Sequence, residues 1–297
     1  MRALILIAVL LTVAAFLLPW LIHRAYRAPR IPERGTPADL GLPYQAVHIP
    51  TVNGKRLFAW LVPAGGGGEK APAVAVIHGW GGNAEHMLPF AALFHRAGYS
   101  TLLLDARNHG RSDADGFSSM PRFAEDLEFG LDWLARQPSI DRRRLALLGH
   151  SVGAGAALMV AARRHDLSAV VSVAAFAHPA ELMRRQMRAH KIPYRPVGWL
   201  VLRFIERTIG ARFDDIAPCN TIGRVACPVL LVHGDEDRRA PLADARRIHA
   251  NRRDDRVELL VLPGAGHDSI EAIETHGKTL LAFLRRQVGR QASGRDG

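Results

Sequence analysis

Apolar residues fall into two kinds of run along this 297-residue chain. At 45–50 and 56–62 they alternate with polar residues on either side of Asn53-Gly54, the pattern of two half-buried strands joined by a tight turn. From residue 73 onward the alternation gives way to short, mostly continuous apolar stretches at 73–77, 101–104, 145–148, 169–173, 229–232 and 257–262. Strands buried on both faces read this way. Between them lie stretches of helical period: within 122–136, Phe123, Leu127, Leu131 and Leu134 recur three or four residues apart. Such alternation predicts an α/β fold, a mainly parallel sheet flanked by helices. No repeat appears at solenoid periods.

Two segments break this rhythm. Residues 178–220 show no strand pattern but carry Met183, Met187, Trp199, Leu200, Leu202, Phe204 and Ile205 among many arginines, with Pro193 and Pro196. They predict a helical insertion that caps one end of the sheet and shapes a pocket there, the plainer reading being a cover over core. At the other extreme, residues 3–22 are apolar or small, with Thr12 the only hydroxyl and Pro19 the only helix breaker, which is bilayer-spanning length. Trp20 and Tyr26 stand where an aromatic belt sits, and Arg24, Arg27 and Arg30 follow. A cleaved signal peptide would have a shorter apolar region and a small-x-small site, which Ala25-Tyr26-Arg27-Ala28 matches poorly. The expectation is a single-pass anchor over residues 1–24, with the globular domain on the cytoplasmic face by the positive-inside bias. A stiff linker over 25–43, with Pro29, Pro32, Pro37 and Pro43, then leads to a domain over 44–288 and a flexible tail over 289–297.

Charge changes the picture little. Lys and Arg number 39 against 28 Asp and Glu, a net +11, yet only Lys55, Lys70, Lys191 and Lys278 are lysines. An Arg-, Ala- and Gly-rich chain often reflects a GC-rich genome, and neither a basic stripe interleaved with aromatics nor a nucleic-acid reader motif is present. Nucleic acid is not an expected partner; anionic lipid near the cap and linker is. Two cysteines, Cys219 and Cys227, are too few for a disulfide scaffold. Ordinary charge content with 48% hydrophobic residues excludes a disordered chain.

The candidate chemistry centres on Gly149-His150-Ser151-Val152-Gly153, which follows the apolar run 145–148 and precedes the helix-like stretch 154–164. A strand, a sharp turn and a helix in that order form the context of a nucleophile elbow, where the glycines permit close packing and Ser151 Oγ stands exposed; a tight turn with a capping serine is the bland reading. At these residues the chain resembles the α/β-hydrolase family, over roughly residue 45 to the C-terminal helix. His78-Gly79-Trp80-Gly81-Gly82-Asn83, after the run 73–77, is similar to the family's oxyanion loop, and the resemblance assigns the oxyanion donors to the amides of Trp80 and Val152. Asp105-Ala106-Arg107-Asn108-His109-Gly110-Arg111-Ser112 looks like the family's D-x-R-G-H-G-x-S turn with Asn108 in place of glycine, and is expected to be structural.

A serine nucleophile needs a base, and the base needs an acid that fixes its tautomer. The family's chain order of Ser, acid and His is met by Ser151, Asp237 and His267. Asp237 fits the family's H-G-x-x-D pattern at residues 233–237, with Asp235 and Glu236 as rivals. His267 sits in a turn-rich loop after the last strand run. His78, His150 and His233 flank motif glycines and are expected to be structural imidazoles. No zinc-ligand spacing, P-loop or dinucleotide fingerprint appears, so no metal or cofactor is expected. The resemblance implies a serine hydrolase of the esterase, lipase or serine-aminopeptidase-like group, cleaving a small-molecule ester, a thioester or a lipid-like substrate. A serine at the elbow argues against the haloalkane dehalogenase and epoxide hydrolase branches. Two alternatives stand beside it. One is amide cleavage, with Glu181 or Glu206 of the cap meeting a free amine; the other is a non-catalytic scaffold that uses the pocket for binding.

Overall fold

The computed structural model describes residues 17, 19–24, 26–66, 70–268 and 272–293. Its eight strands are β1 (Gln45–Pro50), β2 (Arg56–Val62), β3 (Ala71–Ile77), β4 (Ser100–Leu104), β5 (Ile140–His150), β6 (Ala169–Val173), β7 (Val229–Gly234) and β8 (Val257–Leu262). They form one sheet in the order β1-β2-β4-β3-β5-β6-β7-β8. β1 and β2 pair antiparallel, as do β2 and β4; every pairing from β4 through β3 to β8 is parallel. The expected α/β class and mainly parallel sheet are what the chain forms.

Continuous apolar runs arise because each strand feeds two cores. Ala73, Ala75 and Ile77 of β3 and Leu145 and Leu147 of β5 point into one core. Val74, Val76, Ala146 and Leu148 point into the other. Helices α1 (Leu88–Arg96) and α7 (Ala272–Ser293) cover the second face. The first is covered by α2 (Met120–Ala135) and α3 (Val152–Ala161), and by α6 (Leu242–Ala250) through Ile248. Between β6 and β7 the expected cap contains no strand; it is built from α4 (Pro179–Ala189), α5 (Trp199–Ile209) and short helical turns. Arg185 of α4 holds Asp244 of α6 at 2.6 Å, and Glu181 holds Arg247 at 2.6 Å, which ties the cap to the sheet layer beneath it.

Most of the apolar run at 3–22 lies outside the described residues. Residues 19–24 are helical; Ile22 is buried in the first core and the His23 ring lies 5.8 Å from Phe204 of α5. Among the described residues, no helix is long and apolar enough to cross a membrane. The stretch expected as a linker is docked along the domain, because its backbone and Arg30 find partners there. At the other end α7 runs on to Ser293, past residue 289, where a tail is expected.

The sheet's order places the chemistry. β3 has β4 on one side and β5 on the other, so successive connections leave in opposite directions and open a crevice at their C-terminal ends. The loops after β3 and β5 carry His78–Asn83 and Ser151, and those after β7 and β8 carry Asp237 and His267.

Candidate active site

Ser151 links the end of β5 to the start of α3 with φ 55° and ψ −115°, a conformation that costs a non-glycine residue on the order of 1–3 kcal/mol. The surrounding glycines make the turn possible. A Cβ on Gly149 would stand 2.1 Å from the Gly153 carbonyl oxygen, and one on Gly153 would stand 2.4 Å from that of His78. The Ser151 amide donates to the Val173 carbonyl at 2.8 Å, which pins the elbow to the neighbouring strand.

His267 reaches this serine from the loop after β8. Its Nδ1 lies 2.7 Å from Asp237 Oδ2 and its Nε2 lies 2.9 Å from Ser151 Oγ. An ionised carboxylate only accepts, so Nδ1 carries the proton and Nε2 is left to accept from the serine hydroxyl. Asp237 is itself held from behind, its Oδ1 accepting the amides of Arg239 and Ala240, both at 2.8 Å. Burial alone would push Asp237 upward, but the hydrogen bonds from His267 and the Ala240 amide outweigh it and keep the carboxyl below its usual range. Asp235 and Glu236 are exposed, and Asp235 Oδ1 instead accepts the Gly264 amide at 2.7 Å in the loop that carries His267. Thus Ser151, His267 and Asp237 are brought together, and the two rival acids are not.

The three structural histidines have defined roles. His78 Nε2 accepts the Ala106 amide at 3.1 Å, so the proton sits on Nδ1 and is donated to the Gly79 carbonyl at 2.7 Å. Burial, with His109 adding to it, drives its pKa well below the usual value and keeps it neutral. His150 Nε2–H donates to the His267 carbonyl at 2.9 Å, and burial lowers its pKa to about 4. This side chain holds the backbone of His267, a role the motif pattern does not reveal. His233 donates to the Ala240 carbonyl at 2.6 Å and steadies the turn that clamps Asp237.

Opposite the elbow, the loop after β3 comes so close that a Cβ on Gly79 would stand 3.1 Å from Ser151 Cβ. Among the described residues, neither the Trp80 nor the Val152 amide donates to a backbone acceptor. The Trp80 ring is 41% exposed and stacks 6.4 Å from Phe123. Asn108, at the position where the similar turn has glycine, takes φ 68°, a left-handed value that asparagine tolerates better than most residues. It also bonds Asp115 through both ends of its amide. His109 is fully buried, with Nδ1 donating to the Arg107 carbonyl, and packs under Trp80. Among the described residues, one group has metal-like spacing, His150, His267 and Asp268. Both ring nitrogens of His267 are already engaged by Asp237 and Ser151, so an ion there would compete with that arrangement.

Within the cap lies a cavity of about 330 Å³ lined by Arg184, Tyr194, Trp199, Leu202 and Phe213, among others, with Arg247 of α6 at its edge. None of the triad residues lines it. Glu181 and Glu206, the acids weighed for amine binding, border it but are occupied. Glu181 pairs with Arg247 at 2.6 Å; Glu206 pairs with Arg203 at 2.9 Å and accepts the Phe213 amide at 2.9 Å.

Comparison with known proteins agrees with this architecture. The chain is 29% identical over 288 residues to the uncharacterized protein MT2364 of Mycobacterium tuberculosis, covering 96% of this chain and 94% of that one. It is 26% identical to the polyketide transferase af380 of Aspergillus fumigatus, over 82% of this chain and 98% of the other. The esterase Pf2001 of Pyrococcus furiosus superposes with a TM-score of 0.70 over 89% of this chain and all of its own, at 23% identity, which is a likeness of fold. The family model for the prolyl oligopeptidase family, Peptidase_S9, matches residues 122–291, more than half of the chain and a span that holds Ser151, Asp237 and His267. On an α/β-hydrolase fold, this chain belongs to the prolyl oligopeptidase family.

Proposed function

We propose that the protein is a serine hydrolase that transfers the acyl group of a carboxylic ester or thioester to water through Ser151. The observation that carries the reading is the continuous hydrogen-bonded line from Asp237 through His267 to Ser151 Oγ at a strained elbow. Ser151 Oγ attacks the carbonyl carbon as His267 Nε2 takes its proton, and Asp237 stabilises the resulting imidazolium. The carbonyl oxygen, now negative, is met by the amides of Trp80 and Val152. Collapse of the tetrahedral intermediate expels the alcohol or thiol, which receives the proton from His267. Water, deprotonated by the same imidazole, then cleaves the acyl-enzyme and regenerates the serine. None of these steps requires a metal or cofactor.

An ester or thioester suits the site better than a free-amine peptide substrate, because Glu181 and Glu206 are already engaged. The names of two similar proteins, an esterase and a polyketide transferase, point to acyl transfer of that kind. Peptide or amide cleavage is the second reading, favoured by the family's description. Ile22 and His23 pack on the domain, so a single-pass membrane address, with the domain on the cytoplasmic face and a lipid-like substrate, rests on the part of the apolar run that precedes them and on the arginines that follow. A panel of p-nitrophenyl esters of increasing chain length, run beside aminoacyl amides, tests the substrate class. The expected result is ester turnover that disappears in Ser151→Ala. Turnover of the amides alone would replace the ester reading with the peptidase one.

A further inference from the structure

The segment between the helical residues 19–24 and β1 runs along the outside of the loop that carries the Trp80 amide. In that loop the Gly82 amide donates to the Gly79 carbonyl at 3.0 Å, closing a turn with Trp80 and Gly81 at its tip. Gly81 has φ +74°, the left-handed value that the third residue of a type II turn needs. Three of the four turn residues are glycines, so no side chains of their own hold Gly79, Gly81 and Gly82 in place. An oxyanion donor must nevertheless sit within about 0.5 Å of its working position. The restraint has to come from neighbours.

On the inner side the neighbour is the nucleophile. On the outer side it is Pro29, since a Cβ on Gly81 would stand 2.7 Å from Pro29 Cγ. Asn83, which ends the loop and is 1% exposed, donates from Nδ2 to the Ile31 carbonyl at 2.9 Å. Glu85 follows, its carboxylate accepting the amides of Arg34 and Gly35 at 2.8 and 3.1 Å. Arg30 fixes the segment from its other edge by donating to the carbonyls of Gly110 and Ser112. The turn that Arg30 grips also supplies Asp105, whose Oδ1 accepts the Ala84 amide at 2.7 Å just beyond Asn83. The buried carboxylate oxygens of Glu33 lie against Asp105 beneath Gly110.

We propose that residues 29–35 are a positioning strap for the oxyanion loop, with Pro29 pressing on Gly81 and Arg30 locking the strap to the Gly110–Ser112 turn. The strap touches no reacting atom; it acts through the Trp80 amide, and so rests on the Ser151 reading. Its loss should weaken stabilisation of the tetrahedral intermediate and leave ground-state binding alone.

The test compares Arg30→Ala and Pro29→Gly with Arg34→Ala in the full chain. Arg34 holds Glu85 through its backbone amide, so removing its side chain leaves the strap intact. Three quantities are read: kcat and KM on an ester, the second-order rate of labelling by a serine-reactive phosphonate, and the thermal unfolding midpoint. Losing a whole oxyanion donor costs on the order of 10²–10³ in kcat, so a loosened one is expected to cost about 10-fold. Arg30→Ala and Pro29→Gly should lose that factor in both kcat and labelling rate, with KM and midpoint unchanged; Arg34→Ala should match the wild type. Wild-type kcat and labelling in the first two variants would overturn the strap. So would a joint change of kcat and KM that tracks a fallen midpoint, the mark of a merely structural segment. A wild type that fails to label overturns the Ser151 reading itself.

Discussion

Replacing Asp237 with asparagine isolates the part of the site that geometry defines best. Asp237 Oδ1 faces two donors, the amides of Arg239 and Ala240, each 2.8 Å away. An asparagine has one acceptor oxygen, and two converging N–H groups demand that it sit there. Its NH₂ is then turned toward His267 Nδ1, which stands 2.7 Å from Oδ2 in the native site. Two donors cannot face each other, so the imidazole moves its proton to Nε2. That nitrogen then donates toward Ser151 Oγ and no longer accepts from it. The equivalent change in a serine protease triad lowers kcat on the order of 10⁴-fold, about 5 kcal/mol of transition-state stabilisation. The same loss is expected here, with KM nearly unchanged. Asp235→Asn is the control. That residue is exposed and, among the described residues, its side chain accepts the Gly264 amide, which asparagine still satisfies, so kcat should stay within about twofold. Steady-state kinetics of both variants on one ester give the answer. Loss of activity in Asp235→Asn with Asp237→Asn intact would refute the reasoning.

Two further predictions concern the supports around the triad. His150 is 6% exposed with its pKa lowered to about 4, so between pH 4 and 6.5 the unfolded chain binds a proton there that the folded chain does not. Stability therefore falls as pH drops through that window, and His150→Gln, which keeps a donor for the His267 carbonyl, should remove about 2 kcal/mol of the loss between pH 7 and pH 5. Urea unfolding at the two pH values measures it; equal losses in the two proteins would contradict the assignment. Gly153→Ala puts a Cβ 2.4 Å from the His78 carbonyl and 2.8 Å from that of Ile77, backbone atoms where β3 ends and the oxyanion loop begins. It should cost about 1–3 kcal/mol and lower kcat as well, whereas a wild-type urea midpoint would show the contact to be tolerated.

Much of this arrangement is legible from the chain alone, for identifiable reasons. The hairpin is found at its observed bounds because Asn53-Gly54 separates two alternating segments, with Asn53 at φ 58°. β8 is found at its bounds because its largely apolar run lies between Arg256 and Pro263, and β6 is found from its start after Ser168. β5, by contrast, starts at Ile140 and not at Leu145, since Asp141-Arg142-Arg143-Arg144 extends the strand through charged positions that carry no hydrophobic signal. The triad follows from loop position and chain order, and the H-G-x-x-D resemblance favours Asp237 over Asp235; what pattern does not encode is that Asp237 is buried and clamped by two amides while Asp235 is exposed. His150 and residues 29–35 are harder still. Each of their contacts has a backbone carbonyl or amide on one side, which every residue possesses, so no pairing of side-chain types along the sequence marks them. Four prolines across residues 25–43, two of them in 29–35, do predict an extended path, but not that it lies against the oxyanion loop.

The central claim is that Ser151 is the nucleophile, activated by His267. Intact-mass measurement of the full chain after treatment with a serine-reactive phosphonate addresses it directly. The expected result is one adduct per chain, mapped to Ser151 by peptide digestion, absent in Ser151→Ala and slowed by orders of magnitude in His267→Ala. Equal labelling of the wild type and Ser151→Ala, or an adduct on another residue, would contradict the account.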